Sequence, residues 1–233
     1  MIPRLSLPVL CAIALSAVSP ARLLAEPAPS GTARWEKEVA ALEARRTESP
    51  ARPGALLFVG SSSIRLWDLE GSWPGKGTLN HGFGGSNLSD TVHFFDRIVA
   101  PYQPRAVIVY AGDNDVAKKR TADEVADDFQ TLAGLVGKKL PGVPLVYIAI
   151  KPSIKRWNLW PEMKRANEAI AALCASAEHL HFADIAAPML EAGEDAPPAK
   201  EWFKEDGLHL SPSGYARWTA VVNEALREAG VEL

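Results

Sequence analysis

The sequence contains few cysteines, no run of basic residues and only one long apolar stretch, and each scarcity narrows its possible functions. Its 233 residues include two cysteines, so at most one internal disulfide is available. The formal net charge is −3, and the lysines and arginines are spread along the chain rather than clustered. We therefore expect no nucleic-acid partner.

The one long apolar stretch lies at the N-terminus and has the pattern of a secretory signal. Arg4 precedes an apolar run from Leu5 to Val18, and Leu23-Leu24-Ala25 offers a cleavage site that ends in a small residue. Because the run is too short to cross a bilayer, it predicts a signal peptide over residues 1–25, with an uncleaved N-terminal anchor as the alternative. We expect a periplasmic or secreted protein with no stable membrane span after signal removal.

The remaining chain has the composition of a soluble globular protein, with 47% hydrophobic and 23% charged residues. Signal removal would leave a single cysteine, Cys174, so an exported protein would have no internal disulfide and must be stabilised by its core. We interpret residues 26–53 as a lead-in with an N-terminal amphipathic helix between Trp35 and Arg46. Residues 54–233 then form one domain.

Short apolar runs alternate with helical patterns throughout that domain. Strands are predicted at 56–60, 78–83, 105–110, 144–150 and 180–183. Strands that alternate with helices indicate a parallel sheet with right-handed crossovers. We expect a three-layer α/β/α sandwich with about five parallel strands, and of the common orders of such sheets we assign the flavodoxin-like order 2-1-3-4-5.

Capping residues predict where several helices begin. Ser86 is placed to cap a helix that continues through Ile98, and Thr121 with Glu124 forms a capping box. Ser211 as N-cap and Pro212 as the first helical residue would start the last helix.

Polar residues follow three predicted strands at the point where each strand ends. They are Gly60-Ser61-Ser62, Gly84-Gly85-Ser86 and Gly112-Asp113-Asn114-Asp115. Asp206 and His209 lie on a loop just before the last helix. A serine nucleophile needs a general base and a group that orients the base, and these loops contain all three residue types. The alternative is that the serines only cap helices and the other residues only close turns.

These four stretches resemble the sequence blocks of the SGNH hydrolases, in the GDSL esterase/lipase superfamily. Gly60-Ser61-Ser62 resembles the first block, Asn80–Gly85 the second, Gly112–Asp115 the third and Asp206–His209 the Asp-x-x-His block. The platelet-activating-factor acetylhydrolase-like branch is the most similar. The resemblance implies that Ser62 is the nucleophile, His209 the base and Asp206 its orienting carboxylate. It also implies an oxyanion hole formed by the N–H groups of Ser62 and Gly85 and the side-chain amide of Asn114.

One position departs from the family pattern. Ser61 stands where the family has an aspartate, so Ser61 and Ser63 remain alternative nucleophiles. A Gly-x-Ser-x-Gly elbow is excluded by Ile64, and a Gly-x-Gly-x-x-Gly dinucleotide motif by Asn87. His179-Leu180-His181 could place two imidazoles on one strand face, but no matching ligands lie near in sequence. We expect no metal and no cofactor.

The substrate is only broadly defined by the sequence. Arg156 and Trp157, after the fourth strand, are candidates for substrate contacts, although Trp157 could instead pack against the domain. The resemblance implies a small-molecule ester: a small acyl ester, a lysophospholipid, a thioester or an acetylated sugar. Two alternatives are an acyltransferase acting on envelope glycans with the same triad and a non-catalytic envelope- or carbohydrate-binding module. The oligomeric state stays open.

Overall fold

The computed structural model describes residues 31–48, 53–191 and 193–233. The predicted signal peptide, residues 1–25, lies outside the described residues, as do parts of the lead-in. The strands are β1 (Leu56–Gly60), β2 (Thr78–Gly82), β3 (Ala106–Tyr110), β4 (Leu145–Ile148) and β5 (Leu180–Ala183). The α-helices are α1 (Glu36–Glu48), α2 (Ser62–Arg65), α3 (Leu69–Ser72), α4 (Leu88–His93), α5 (Phe95–Ile98), α6 (Asp113–Ala117), α7 (Ala122–Lys139), α8 (Trp160–Ala175), α9 (Ala186–Met189) and α10 (Pro212–Glu228).

The five strands form one parallel sheet in the order β2-β1-β3-β4-β5, which confirms the predicted architecture and strand order. The three inner strands are buried along their whole length, because helices cover both faces of the sheet. Gly60 at the end of β1 pairs in register with Gly82 on one side and Tyr110 on the other. The loops after β1, β2 and β3 therefore leave the sheet at the same edge.

The predicted N-terminal helix is present and packs against the domain. Val39 and Leu42 are buried, as their helical spacing predicts. Arg97 at the end of α5 bonds Glu36 and Glu43 of α1 at 2.7 and 2.6 Å. Helix α1 of the lead-in therefore packs on the folded domain.

Two of the predicted caps are correct and one is wrong. Thr121 begins α7 and accepts a hydrogen bond from the Glu124 N–H, and Ser211 begins α10. Ser86 does not cap the following helix. The cap is Asn87, whose N–H donates to Asp90 at 2.8 Å, because Ser86 is fully buried and its carbonyl binds another loop.

The predicted helix through Ile98 is interrupted at Phe94, which separates α4 from α5. Cys174 is buried at the end of α8, as expected, and burial raises the pKa of its thiol to about 12. In the described ranges no helix combines the length and apolarity that crossing a bilayer requires.

Candidate active site

Close contacts between neighbouring strand ends fix the position of Ser62. It is the first residue of α2, and only Ser61 separates it from the end of β1. The Ser61 N–H donates to the Tyr110 carbonyl at 2.9 Å, and the Phe83 N–H donates to the Gly60 carbonyl at 2.9 Å. These bonds tie the loop after β1 to β3 and to the loop after β2. The chain therefore turns sharply at the sheet edge and presents Ser62 there.

Ser62, His209 and Asp206 form a continuous hydrogen-bonded chain. Ser62 Oγ lies 3.1 Å from His209 Nε2, and His209 Nδ1 lies 2.6 Å from Asp206 Oδ2. Because a carboxylate only accepts, Nδ1 carries the proton and Nε2 is free to accept the serine proton. The predicted nucleophile, base and orienting carboxylate are thus in contact in the order that the chemistry requires.

Asp206 is held in place by its own loop. Its Oδ1 accepts the N–H groups of Leu208 and His209, each at 2.9 Å, while Oδ2 binds the imidazole. Burial by itself would raise the pKa of the Asp206 carboxyl. The hydrogen bonds from His209 and Leu208 have the larger effect and hold this pKa well below its usual range. The carboxylate is therefore ionised and can stabilise an imidazolium.

The three consecutive serines have different environments. Ser61 is buried and its hydroxyl has no hydrogen-bond partner among the described residues. Ser63 is also buried and accepts a hydrogen bond from Lys151 Nζ at 3.2 Å. Only Ser62 of the three contacts His209. The geometry therefore favours Ser62 as the nucleophile.

The proposed oxyanion donors lie on the three adjoining loops. Within the described chain, the N–H groups of Ser62 and Gly85 donate to no protein acceptor. Gly85 has a φ of 79°, a conformation that favours glycine. Asn114 is nearly buried, and its Nδ2 donates one hydrogen bond to the Ser86 carbonyl at 3.0 Å. The second N–H of this amide also has no acceptor among the described residues, and the oxyanion hole formed by the three groups stays a prediction.

The two candidates for substrate contact face the protein more than the solvent. Arg156 Nη2 donates to Asn114 Oδ1 at 3.0 Å, and Nη1 lies 3.0 Å from Asp113 Oδ2. Trp157 is half-buried and stacks on Trp160, with ring centroids 6.4 Å apart. Arg156 therefore lies at the site but is occupied by protein groups.

A buried lysine beneath the site was missed by the sequence reasoning. Lys151 is 1% exposed, and its Nζ contacts Tyr110 Oη at 2.8 Å and Asp113 Oδ2 at 3.2 Å. Burial alone would raise the pKa of Asp113, but the charges of Lys151 and Arg156 hold it below its usual value. One sequence signal could have identified it: Lys151 is a charged residue placed directly after the apolar run 144–150.

A groove of about 550 Å³ runs beside α2 and the start of α10. Its walls include Leu66, Trp67, Leu210 and Tyr215, so it is largely apolar. Leu66 and Leu210 follow shortly after Ser62 and directly after His209 in the chain. Ser62, His209 and Asp206 are not among the residues that line it.

The part of the chain that the structure describes contains no group of three or more His, Cys, Asp or Glu side chains able to hold a metal. His179 and His181 flank Leu180, the first residue of β5, and they form no such group with other residues.

The fold and the Ser–His–Asp chain define a serine hydrolase that acts on ester bonds and is built on a parallel α/β sheet. The chain belongs to the GDSL-like Lipase/Acylhydrolase family, whose family model matches residues 65–217. That match includes Gly85, Asn114, Asp206 and His209, and it begins three residues after Ser62. A search of curated proteins found no match.

Solved structures with the same fold come from several organisms. A Streptococcus pneumoniae protein, provisionally described as a platelet activating factor, is 20% identical with a TM-score of 0.72, over 82% of this chain and 92% of that one. A carbohydrate esterase family 3 structure from Talaromyces cellulolyticus is 16% identical with a TM-score of 0.60, over 77% of this chain and 100% of that one.

The catalytic domain of a peptidoglycan O-acetyltransferase from Streptococcus pneumoniae is 14% identical with a TM-score of 0.57. That match covers 76% of this chain and 95% of that one. At these identities the three likenesses show the fold alone.

Proposed function

We propose that the protein is an exported serine esterase that hydrolyses carboxylic esters through an acyl-enzyme on Ser62. The observation that carries the proposal is the hydrogen-bonded chain from Ser62 through His209 to Asp206. Membership of an acylhydrolase family agrees with it. Export rests on the signal-like pattern of residues 1–25.

The reaction begins with attack of Ser62 Oγ on the carbonyl carbon of the ester. His209 Nε2 takes the serine proton, and Asp206 stabilises the resulting imidazolium. The negative oxygen of the tetrahedral intermediate accepts hydrogen bonds from Ser62 N–H, Gly85 N–H and the Asn114 amide. His209 then donates its proton to the leaving alcohol, which leaves the acyl group on Ser62.

The second half of the reaction repeats these roles with water. His209 removes a proton from water, the hydroxide attacks the acyl carbon, and collapse of the second intermediate returns the proton to Ser62 Oγ. Substrates of the proposed class are small acyl esters, lysophospholipids, thioesters and acetylated sugars.

An acyltransferase with the same acyl-enzyme is the second candidate. One observation favours it: the fold is shared with an O-acetyltransferase domain. The Asp206 and His209 side chains are 39% and 26% exposed, which leaves the site accessible to an alcohol as well as to water. An open imidazole can deprotonate a sugar hydroxyl in place of water. Product analysis with and without an added alcohol acceptor separates the two reactions.

The test is a screen of p-nitrophenyl esters of graded chain length, combined with fluorophosphonate labelling. We expect turnover and labelling of the wild-type protein, and loss of both in Ser62→Ala. Ser61→Ala is the matched control and should retain both, because its hydroxyl contacts neither His209 nor any described partner. An unlabelled, inactive wild-type protein would instead favour the non-catalytic binding module.

A further inference from the structure

We propose that Arg156 is a positioning residue, which fixes the orientation of the Asn114 amide in the oxyanion hole, and that it does not bind substrate. The inference rests on the proposed function, because it concerns the same intermediate. Its starting point is the contact between Arg156 Nη2 and Asn114 Oδ1, at 3.0 Å.

The two partners of Asn114 distinguish the two ends of its amide group. A guanidinium only donates hydrogen bonds, so Arg156 selects the amide oxygen. The Ser86 carbonyl only accepts, so it selects the amide nitrogen, at 3.0 Å. An amide rotated by a half-turn would lose both bonds and would turn its oxygen toward the developing negative charge. Arg156 and Ser86 together therefore keep an Asn114 N–H directed at the reacting oxygen.

Arg156 is itself fixed by a buried ionic network. Its Nη1 lies 3.0 Å from Asp113 Oδ2, and the same oxygen lies 3.2 Å from Lys151 Nζ. Lys151 also donates to Tyr110 Oη at 2.8 Å and to Ser63 Oγ at 3.2 Å. Asp113 and Lys151 are 4% and 1% exposed. The network therefore connects the loops after β1, β3 and β4 beneath the site.

This arrangement differs from that of a substrate-binding arginine. Arg156 Nη2 donates to Asn114, Nη1 is buried at ion-pair distance from Asp113 without a hydrogen-bond partner among the described residues, and the side chain is 19% exposed. If the guanidinium turned toward a substrate, it would give up the bond to Asn114 and the ion pair with Asp113. Leaving would uncover a buried carboxylate whose Oδ1 already has no hydrogen-bond partner among the described residues.

The test is a double-mutant cycle of the full chain on one p-nitrophenyl ester, with Arg156→Met, Asn114→Ala and the combined variant. Removal of Asn114 should lower kcat by about 10²–10³-fold, as for other oxyanion donors. Arg156→Met should lower kcat by about tenfold or more while KM changes less than about twofold. In the Asn114→Ala background the same substitution should change kcat by less than about twofold, because its target is gone.

Other outcomes have distinct meanings. A rise in KM that persists without Asn114 would show that Arg156 binds substrate and would overturn the proposal, as would additive losses in kcat. Arg156→Lys keeps the charge, so its kcat should lie between those of Arg156→Met and the wild-type protein. This variant also allows the test if Arg156→Met fails to fold. Lys155→Met removes a charge from the same loop and should change neither constant. A wild-type protein without turnover or labelling would contradict the proposed function instead.

Discussion

Gly60 approaches Tyr110 so closely that a Cβ atom on Gly60 would lie 2.0 Å from the Tyr110 carbonyl oxygen. Its φ of 129° is also outside the range of residues with a side chain. This approach lets the chain turn directly after β1 and bond the Ser61 N–H to Tyr110.

We predict that Gly60→Ala lowers both stability and esterase activity. The added methyl must push β1 away from β3, and the strained φ adds a cost on the order of 1–3 kcal/mol. Urea unfolding and p-nitrophenyl ester turnover measure the two effects. Gly134→Ala is the matched control: Gly134 is exposed within α7, and nothing lies within 4 Å of the place that its added methyl would take, so it should be neutral or stabilising. Equal effects of the two substitutions would contradict the role given to Gly60.

Asp206→Asn should leave the fold unchanged and lower kcat by about 10⁴-fold. An asparagine still fits the loop but presents no charge to an imidazolium, and its amide can select the wrong imidazole tautomer. The comparison is kcat at the pH optimum for wild-type and variant, with the unfolding midpoint as a check on folding. Retention of more than about a tenth of wild-type kcat would show that Asp206 is not the orienting carboxylate.

Acid should destabilise the protein through His81. This side chain is 5% exposed, and burial lowers its pKa to about 4, against 6.5 for a free imidazole. Below pH 6.5 the unfolded chain binds a proton that the folded one does not, so stability falls as the pH drops from about 6.5 to about 4. By pH 5 the loss reaches about 2 kcal/mol.

The measurement is urea unfolding of wild-type and His81→Gln at pH 7.5 and pH 5. Wild-type should lose about 2 kcal/mol more than the variant between the two pH values. His93→Gln, at an exposed histidine, is the control and should follow wild-type. Parallel pH profiles of wild-type and His81→Gln would contradict the prediction.

Trp35→Ala should reduce both stability and turnover. The Trp35 ring packs edge-on against Phe83 at 5.7 Å, and it would lie 3.5 Å from a Cβ on Gly85. Loss of this half-buried ring uncovers Phe83 and should cost about 2 kcal/mol. Loosening of the turn that carries the Gly85 donor should lower kcat as well. Lys37→Ala, on the exposed face of α1, serves as the control. If Trp35→Ala changed stability and kcat no more than Lys37→Ala does, Trp35 would have no part in supporting the site.

Much of the architecture is predictable because its signals are local. The apolar runs at β1 and β3 and the capping pair Thr121–Glu124 are each contained within a few residues. All three are present in the structure. The alternation of strands and helices indicates a parallel sheet, and the structure confirms both that sheet and the predicted flavodoxin-like order.

Several features that the sequence did not predict depend on contacts between distant segments. Ser86 and Asn87 are both favourable caps by residue type, and the choice of Asn87 depends on the bond between the Ser86 carbonyl and Asn114, 28 positions away. An arginine on a loop beside the site is a reasonable candidate for substrate binding, and only the contacts of Arg156 with Asp113 and Asn114 point to the proposed positioning role. The residues that meet at the site were predictable, but the network that supports them was not.

The bond between Ser62 and His209 joins positions 147 residues apart, whereas His209 and Asp206 are separated by three. The Asp206–His209 pair therefore forms within one short segment. Its contact with Ser62, in contrast, requires that almost the whole domain has folded. A growing chain on the ribosome has no working triad until its final helix has emerged and docked. During refolding, esterase activity should accordingly be among the last properties to recover. The rate at which turnover returns would then report how fast folding is completed.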